Sequence, residues 1–389
     1  MDNSGDVPHQ GSVLCASWIR RPFNDHLVIV GRSKTASSPP LLEISSFNNI
    51  ATSISNTPKE SYILDDGDPV SIAAHPSGDD IVYSTSTGCK LLELHGREEN
   101  IKLVPKSLPL PLAVGPQKCL AFSADGSRFA TGGKDGHLRI LEWPSLRILL
   151  DEPRAHKSFR DMDFSLDSEF LASTSIDGSA RVWKTNDGVP FTSLNRDSDE
   201  KIECCRFSRD GTKPFLFCTI QKAGGKAVTA VWDVSTWNKI GHKRLLRKPA
   251  SVLSVSVDGK YLALGSNDGD LCVVQVQKME ICHLSKRLHL GTCISSIEFC
   301  PSERVVLSTS SEWGVTVTKL NVPADWKDWQ IYLLLLGLFL ASAVVFYIFF
   351  ENLDSFWNFP VGTDQPAKPT LGAFLHDPSF PGDQGVSEL

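Results

Sequence analysis

The chain has 389 residues and ten cysteines, yet it contains no CxxC pair and no Cys/His spacing suited to a metal, and Cys204 and Cys205 are adjacent. Neither a disulfide framework nor a zinc centre is indicated, and the cysteines read as small core residues. No GxxxxGK(S/T), GxSxG, HExxH or dinucleotide fingerprint occurs, which lowers the prospect of an enzyme and gives no sign of a cofactor. The opening MDNSGDVPHQGSVLCASW lacks a basic stretch followed by an apolar run, so it does not read as a secretory signal. With 39 basic against 45 acidic residues, a net charge of −6 gives no general pull toward nucleic acid. The densest basic stretch, HKRLLRK at 242–248, reads as a solvated loop. The paired acids Asp65-Asp66 and Asp79-Asp80 lie beside glycine in turn-like contexts.

Charge is also missing from residues 331–350, IYLLLLGLFLASAVVFYIFF. Twenty helical residues reach about 30 Å, the thickness of a bilayer hydrocarbon core, and a helix apolar on every side has no face to show water. A membrane span is expected over 329–350. Trp326, Trp329 and Tyr332 mark one end and Tyr347, Phe356 and Trp357 the other, at headgroup depth. Lys319 and Lys327 precede the span, whereas residues 351–389 hold one base, Lys368, and six acids. That asymmetry predicts a cytosolic domain over 1–325 and a short acidic, disordered lumenal tail over 351–389. The tail has no N-x-S/T site.

What precedes the span repeats. A Phe-Ser-x-Asp-Gly-like turn recurs at 74–78, 122–126, 164–168, 207–211, 255–259 and 299–303, at intervals of 48, 42, 43, 48 and 44 residues. A second turn ends at Gly88, Gly136, Gly178, Gly269 and Gly314, ten or eleven residues beyond the first. One strand of constant length lies between the two turns, and a glycine supplies the positive φ that a tight hairpin demands. A period in the forties with several short strands per unit is the signature of a β-propeller. A looser unit over 16–47 brings the count to seven blades. The last unit runs out of strands after VTVTKL at 315–320, so an N-terminal segment is expected to complete it.

One blade carries the WD-repeat hallmark most fully, with His156 opening it, Asp177 in an Asp-Gly turn and Trp183 in the following strand. A buried chain is expected from the indole through Ser173 or Ser175 and the histidine to the aspartate. His156 and Asp177 are not read as a catalytic pair, because no nucleophile accompanies them. The fold class is therefore all-β, a seven-bladed WD-repeat propeller followed by one C-terminal transmembrane helix. Partners are normally read by the loops of such a disc, and two loops depart from the repeat. The first unit replaces a tight hairpin with GRSKTASSPP at 31–40, and the fourth aligned unit expands its second turn into QKAGGKA at 221–227. Gly31, Arg32, Lys34 and Thr35 are the partner-loop candidates.

A propeller followed by one span resembles the Sec-type exchange factors that activate the Sar small GTPase at the endoplasmic reticulum. The blocks CASWIRRP at 15–22, residues 155–184, SKRLHLG at 285–291, CPSERVVLSTSSEWG at 300–314 and ENLDSFWNFPVG at 351–362 resemble the plant phosphate transporter traffic facilitators, relatives of those factors. The resemblance implies residence in the endoplasmic reticulum membrane and help for phosphate transporters leaving for the plasma membrane. It also implies that exchange factors use a glycine-rich first-blade loop with a functional asparagine. Residues 31–40 have one glycine and no asparagine. The reading is thus a cargo-specific trafficking accessory that is not an enzyme. A Sar-type exchange factor and a generic anchored scaffold that binds coat components are the alternatives.

Overall fold

A computed structural model describes residues 11–21, 24–96, 100–110, 114–322 and 328–351. The expected tail, together with Trp326, Lys327, Phe356 and Trp357, lies outside the described residues. Two units are distinct, a β unit up to Val322 and the segment beyond it.

The β unit is a seven-bladed propeller. Its innermost strands are Val13–Arg21, Ser71–Ala74, Cys119–Phe122, Phe159–Phe164, Glu200–Phe207, Ala250–Val255 and Ser296–Phe299, and in each blade the following strands pair outward and antiparallel. All six sequence-read first turns begin at the last residue of an innermost strand. Side chains alternate between the two faces of each blade, so each blade serves two neighbours. In the fourth blade Leu171 and Trp183 face the third, while Ala172, Ala180 and Val182 face the fifth. Seven apolar clusters result, one at each junction, including the junction of the seventh blade with the first.

The N-terminal segment expected to complete the last blade precedes residue 11 and lies outside the described residues. The last blade has three strands, and no described strand pairs with the outer edge of Gly314–Lys319. Blades 1 and 7 meet face to face, with Val13, Ala16, Trp18, Val28 and Phe47 buried against Cys300, Val305 and Leu307. The Trp18 amide donates to Glu298 Oε2 at 3.0 Å and its indole N–H to the Glu298 carbonyl at 3.3 Å. In the first blade, strand Leu41–Asn48 pairs with both Glu60–Ile63 and an extra short strand, Ser53–Ile54. This extra hairpin lays Phe47 and Ile54 beside Val315 and Val317. Apolar burial between blade faces closes the described ring without a shared sheet.

The second unit is the helix Asp328–Glu351, one residue longer at each end than the span read from the sequence. Every large apolar side chain from Ile331 to Phe350 is exposed. The Ser342 hydroxyl is satisfied within the helix by the Phe339 carbonyl at 2.8 Å, as a lipid-facing hydroxyl must be. The helix is long and apolar enough to cross a membrane.

Candidate functional site: the channel and two rims

The hallmark blade assembles most of the expected chain. Trp183 Nε1 donates to Ser173 Oγ at 2.9 Å, and the same oxygen lies 2.8 Å from His156 Nε2, all of it buried. Ser173 therefore fills the hydroxyl position, and Ser175 contacts the Asp177 amide instead. The last link is missing: Asp177 Oδ1 accepts the Ser179 amide and hydroxyl at 2.8 and 2.7 Å, and His156 Nδ1 has no partner. Burial lowers the His156 pKa to about 4, with Arg181 acting the same way and Asp177 opposing. It is a neutral structural imidazole.

Three other blades carry edited versions that sequence reading missed. In the third, Thr131 donates to Gln117 Oε1 at 3.1 Å and Gln117 Nε2 to Asp135 at 3.2 Å, so a glutamine completes the link that the histidine does not. In the seventh, His289 sits between Ser308 and Ser310, each at 2.8 Å. In the fifth, Trp232 takes the place of Trp183, but Cys218 stands where the serine would, and the indole N–H is unpaired. Hydrogen-bonding pattern, rather than residue identity, is the signal that would have found the first two.

The seven innermost strands enclose a channel with a cavity of about 570 Å³. Its carboxylates stitch blades together. Asp161 accepts the Cys205 amide at 3.0 Å and pairs with Arg206 at 2.6 Å, and Asp163 accepts the Phe207 amide at 2.8 Å and pairs with Arg209 at 2.7 Å. Burial raises the Glu298 carboxyl above its ordinary value, opposed by Arg20 and the Trp18 amide. Burial also pushes the Cys204 thiol up to about 12, which keeps it protonated and a poor nucleophile. These groups serve one another and leave no base poised beside a nucleophile.

Two rims bound the channel. The second turns project on one, the first turns on the other. Of the partner-loop candidates, Gly31 and Arg32 belong to strand Asn24–Arg32. A Cβ on Gly31 would lie 2.7 Å from Cys15 Sγ and 2.9 Å from Pro69, and Arg32 Nε pairs with Glu43 at 2.6 Å. Thr35 Oγ1 accepts the Ser37 and Ser38 amides at 3.3 and 3.0 Å, folding a tight hydroxyl-bonded turn. Only Lys34 is exposed, its amide held by Asp68 at 2.7 Å. The second irregular loop is a short turn on lengthened strands, Phe215–Lys222 and Ala227–Asp233, and belongs to the fifth blade. Of the basic stretch 242–248, Leu245 and Leu246 are buried and the bases face outward.

The WD domain, G-beta repeat family matches residues 114–141 and 147–184, which hold the strands of the third blade and the first three strands of the fourth. SEC12-like protein 1 of Arabidopsis thaliana is 56% identical over 382 residues, covering 96% of this chain and 95% of that protein. The chain belongs to the SEC12-like family. SEC12-like protein 2 of the same plant is 31% identical and covers 70% of each chain. The guanine nucleotide-exchange factor SEC12 of Rattus norvegicus is 23% identical, over 59% of this chain and 60% of that one. This SEC12-like chain thus joins a WD-repeat propeller to one C-terminal helix fit for single-pass anchoring.

Proposed function

We propose that this SEC12-like chain is an endoplasmic reticulum membrane accessory that helps phosphate transporters leave for the plasma membrane, acting by contact rather than catalysis. The first-blade loop carries this reading. Opening a nucleotide pocket needs a rigid wedge that binds the empty GTPase better than the loaded one. Here Gly31 and Arg32 are consumed in a strand and an ion pair, and residues 35–38 form a turn bonded to itself. The client class rests on the sequence blocks shared with the plant traffic facilitators. The propeller lies in the cytosol and residues 351–389 in the lumen, supported by the basic and acidic flanks of the span.

Removing the protein from a plant cell and following tagged membrane proteins tests the reading. Phosphate transporters stall in the endoplasmic reticulum while other cargo moves, and normal arrival at the plasma membrane refutes it. A second reading, exchange on a Sar-type GTPase, is favoured by the name of the rat relative. Release of fluorescent GDP from the GTPase, with the full chain in detergent, separates the two. No acceleration is expected, and acceleration by orders of magnitude would install the second reading.

A further inference from the structure

Two crossovers between blades carry the same triplet, Lys243-Arg244-Leu245 and Lys286-Arg287-Leu288, 43 residues apart in the chain. The first follows the outermost strand of the fifth blade, Lys239–Lys243, and the second that of the sixth, Glu280–Ser285. Both are tied to one turn of the sixth blade. The Asn267 amide donates to the Pro249 carbonyl at 3.2 Å and Lys248 Nζ lies 3.7 Å from Asp268, while the His289 amide donates to the Gly269 carbonyl at 3.2 Å and the Arg287 amide to Asp270 at 2.7 Å. The two crossovers therefore flank a single turn on the second-turn rim.

In each triplet the leucine packs inward and the two bases face out. Lys243, Arg244, Arg247, Lys286 and Arg287 are all exposed, and none has an ion pair with a described residue. Arg244 reaches only the carbonyls of Leu246 at 3.4 Å and Arg247 at 3.3 Å. The acids of this sector are fewer: Asp268 faces Lys248, Asp270 holds the Arg287 amide, and Glu312 is exposed in the second turn of the seventh blade. Glu200 in the neighbouring blade is buried and taken by Lys222 at 2.8 Å and Lys239 at 3.3 Å. Two apolar side chains stand beside the bases, Leu290 at 60% exposure and Trp313 at 50%. The Ser310 hydroxyl links their loops, lying 2.8 Å from His289 Nδ1 and accepting the Trp313 amide at 3.2 Å. Paired bases thus border an exposed indole in a chain whose net charge is −6.

We propose that this sector of the second-turn rim binds an acidic peptide segment that carries a bulky apolar residue. Guanidinium groups take carboxylates through two parallel hydrogen bonds, and Arg and Trp are the residues that most often anchor an interface. The other candidate occupant is an anionic lipid surface, but a sheet that broad would also meet acidic crossovers on the same rim. These are LDDGDPV at 64–70, whose Asp66 carbonyl accepts the hydroxyl of Ser86 in the second turn of the second blade at 3.1 Å, and LNRDSDE at 194–200, whose Asp199 carbonyl accepts the Ala223 amide at 3.1 Å. A narrow strand meets the basic sector alone. The surface is independent of the function proposed above.

The full chain in detergent is titrated with a fluorescent peptide, GDEDWLEDELDG, and with its counterpart carrying Lys at every Asp and Glu. The acidic peptide is expected to bind at least tenfold tighter by anisotropy, and more weakly as salt rises. Replacing Arg244→Glu and Arg287→Glu together weakens it at least tenfold, and Trp313→Ala weakens it at least threefold. Lys134→Glu, on the same rim in the third blade, leaves it unchanged. Hydrogen exchange on the unaltered chain gives a readout free of folding defects, with the acidic peptide protecting residues 243–248 and 286–290. Equal affinity for the two peptides, or no protection of those crossovers, overturns the inference. Protection of the same crossovers by phosphatidylserine nanodiscs without peptide, and not by phosphatidylcholine ones, assigns the surface to lipid and also overturns it.

Discussion

Ser173 holds one indole N–H and one imidazole nitrogen at 2.9 and 2.8 Å, so its hydroxyl satisfies two otherwise stranded groups. Removing it by Ser173→Ala leaves a buried Trp183 N–H without an acceptor, and a loss of about 2 kcal/mol is expected by chemical denaturation. His156 adds a pH dependence. Its folded pKa of about 4 lies below the ordinary histidine value of 6.5, so between those pH values the unfolded chain binds more protons. Stability from this group is fully present above pH 6.5 and falls as the solution is acidified toward pH 4, by an order of magnitude of ~3 kcal/mol. His289, also lowered by burial, acts in the same direction. Melting from pH 7 to pH 5 should show a smaller drop in His156→Gln than in the unaltered chain. The Trp, Ser and His of this site were legible because each sits at a repeat position. The missing link to Asp177 was not, because Ser179, two residues on, outcompetes a distant histidine for the carboxylate through a local turn.

Strands and turns were the most readable elements, for a physical reason. A first turn is specified by four or five adjacent residues, and each such turn falls at the end of an innermost strand. Its glycine has a second duty that no local pattern shows. A Cβ on Gly78, at φ +77°, would lie 2.2 Å from the Arg20 carbonyl, and one on Gly126 would lie 2.4 Å from His75 Nε2. The turn is the point where a blade touches its neighbour. Gly78→Ala is therefore expected to cost about 3 kcal/mol, from backbone strain and a steric clash together. Gly224, at φ +81° with nothing within 4 Å, isolates the backbone part, and Gly224→Ala should cost about 1 kcal/mol. Denaturant midpoints of the two variants compare the terms directly. Residues 31–40 read as a long loop because GRSKTASSPP is rich in small polar residues. Pairing of Gly31 and Arg32 across the sheet with Leu42 and Leu41 is a nonlocal fact that composition does not carry.

At the scale of the molecule, the seven-fold period and the uncharged run were both explicit in the chain, and the architecture followed from them. The contact of Trp18 with Glu298 did not follow, since it joins residues 280 apart in the chain. The helix makes its own prediction. With every large apolar side chain from Ile331 to Phe350 exposed, the protein should stay in the membrane pellet after alkaline carbonate extraction. Leu336→Arg with Phe339→Arg should release much of it, because a charge at mid-bilayer costs about 3 kcal/mol on insertion scales. Retention of the double variant would show that the chain is held by something other than its helix.

Glu298 and the strand Gly314–Lys319 also set an order of events during synthesis. The first blade is made first, yet its Trp18 finds its partner only when the seventh has left the ribosome. The apolar run follows so soon that the exit tunnel still holds it while the disc is incomplete. Delivery to the bilayer and locking of the ring thus fall in the same interval, and a nascent chain stalled before residue 296 would present an open first blade to chaperones.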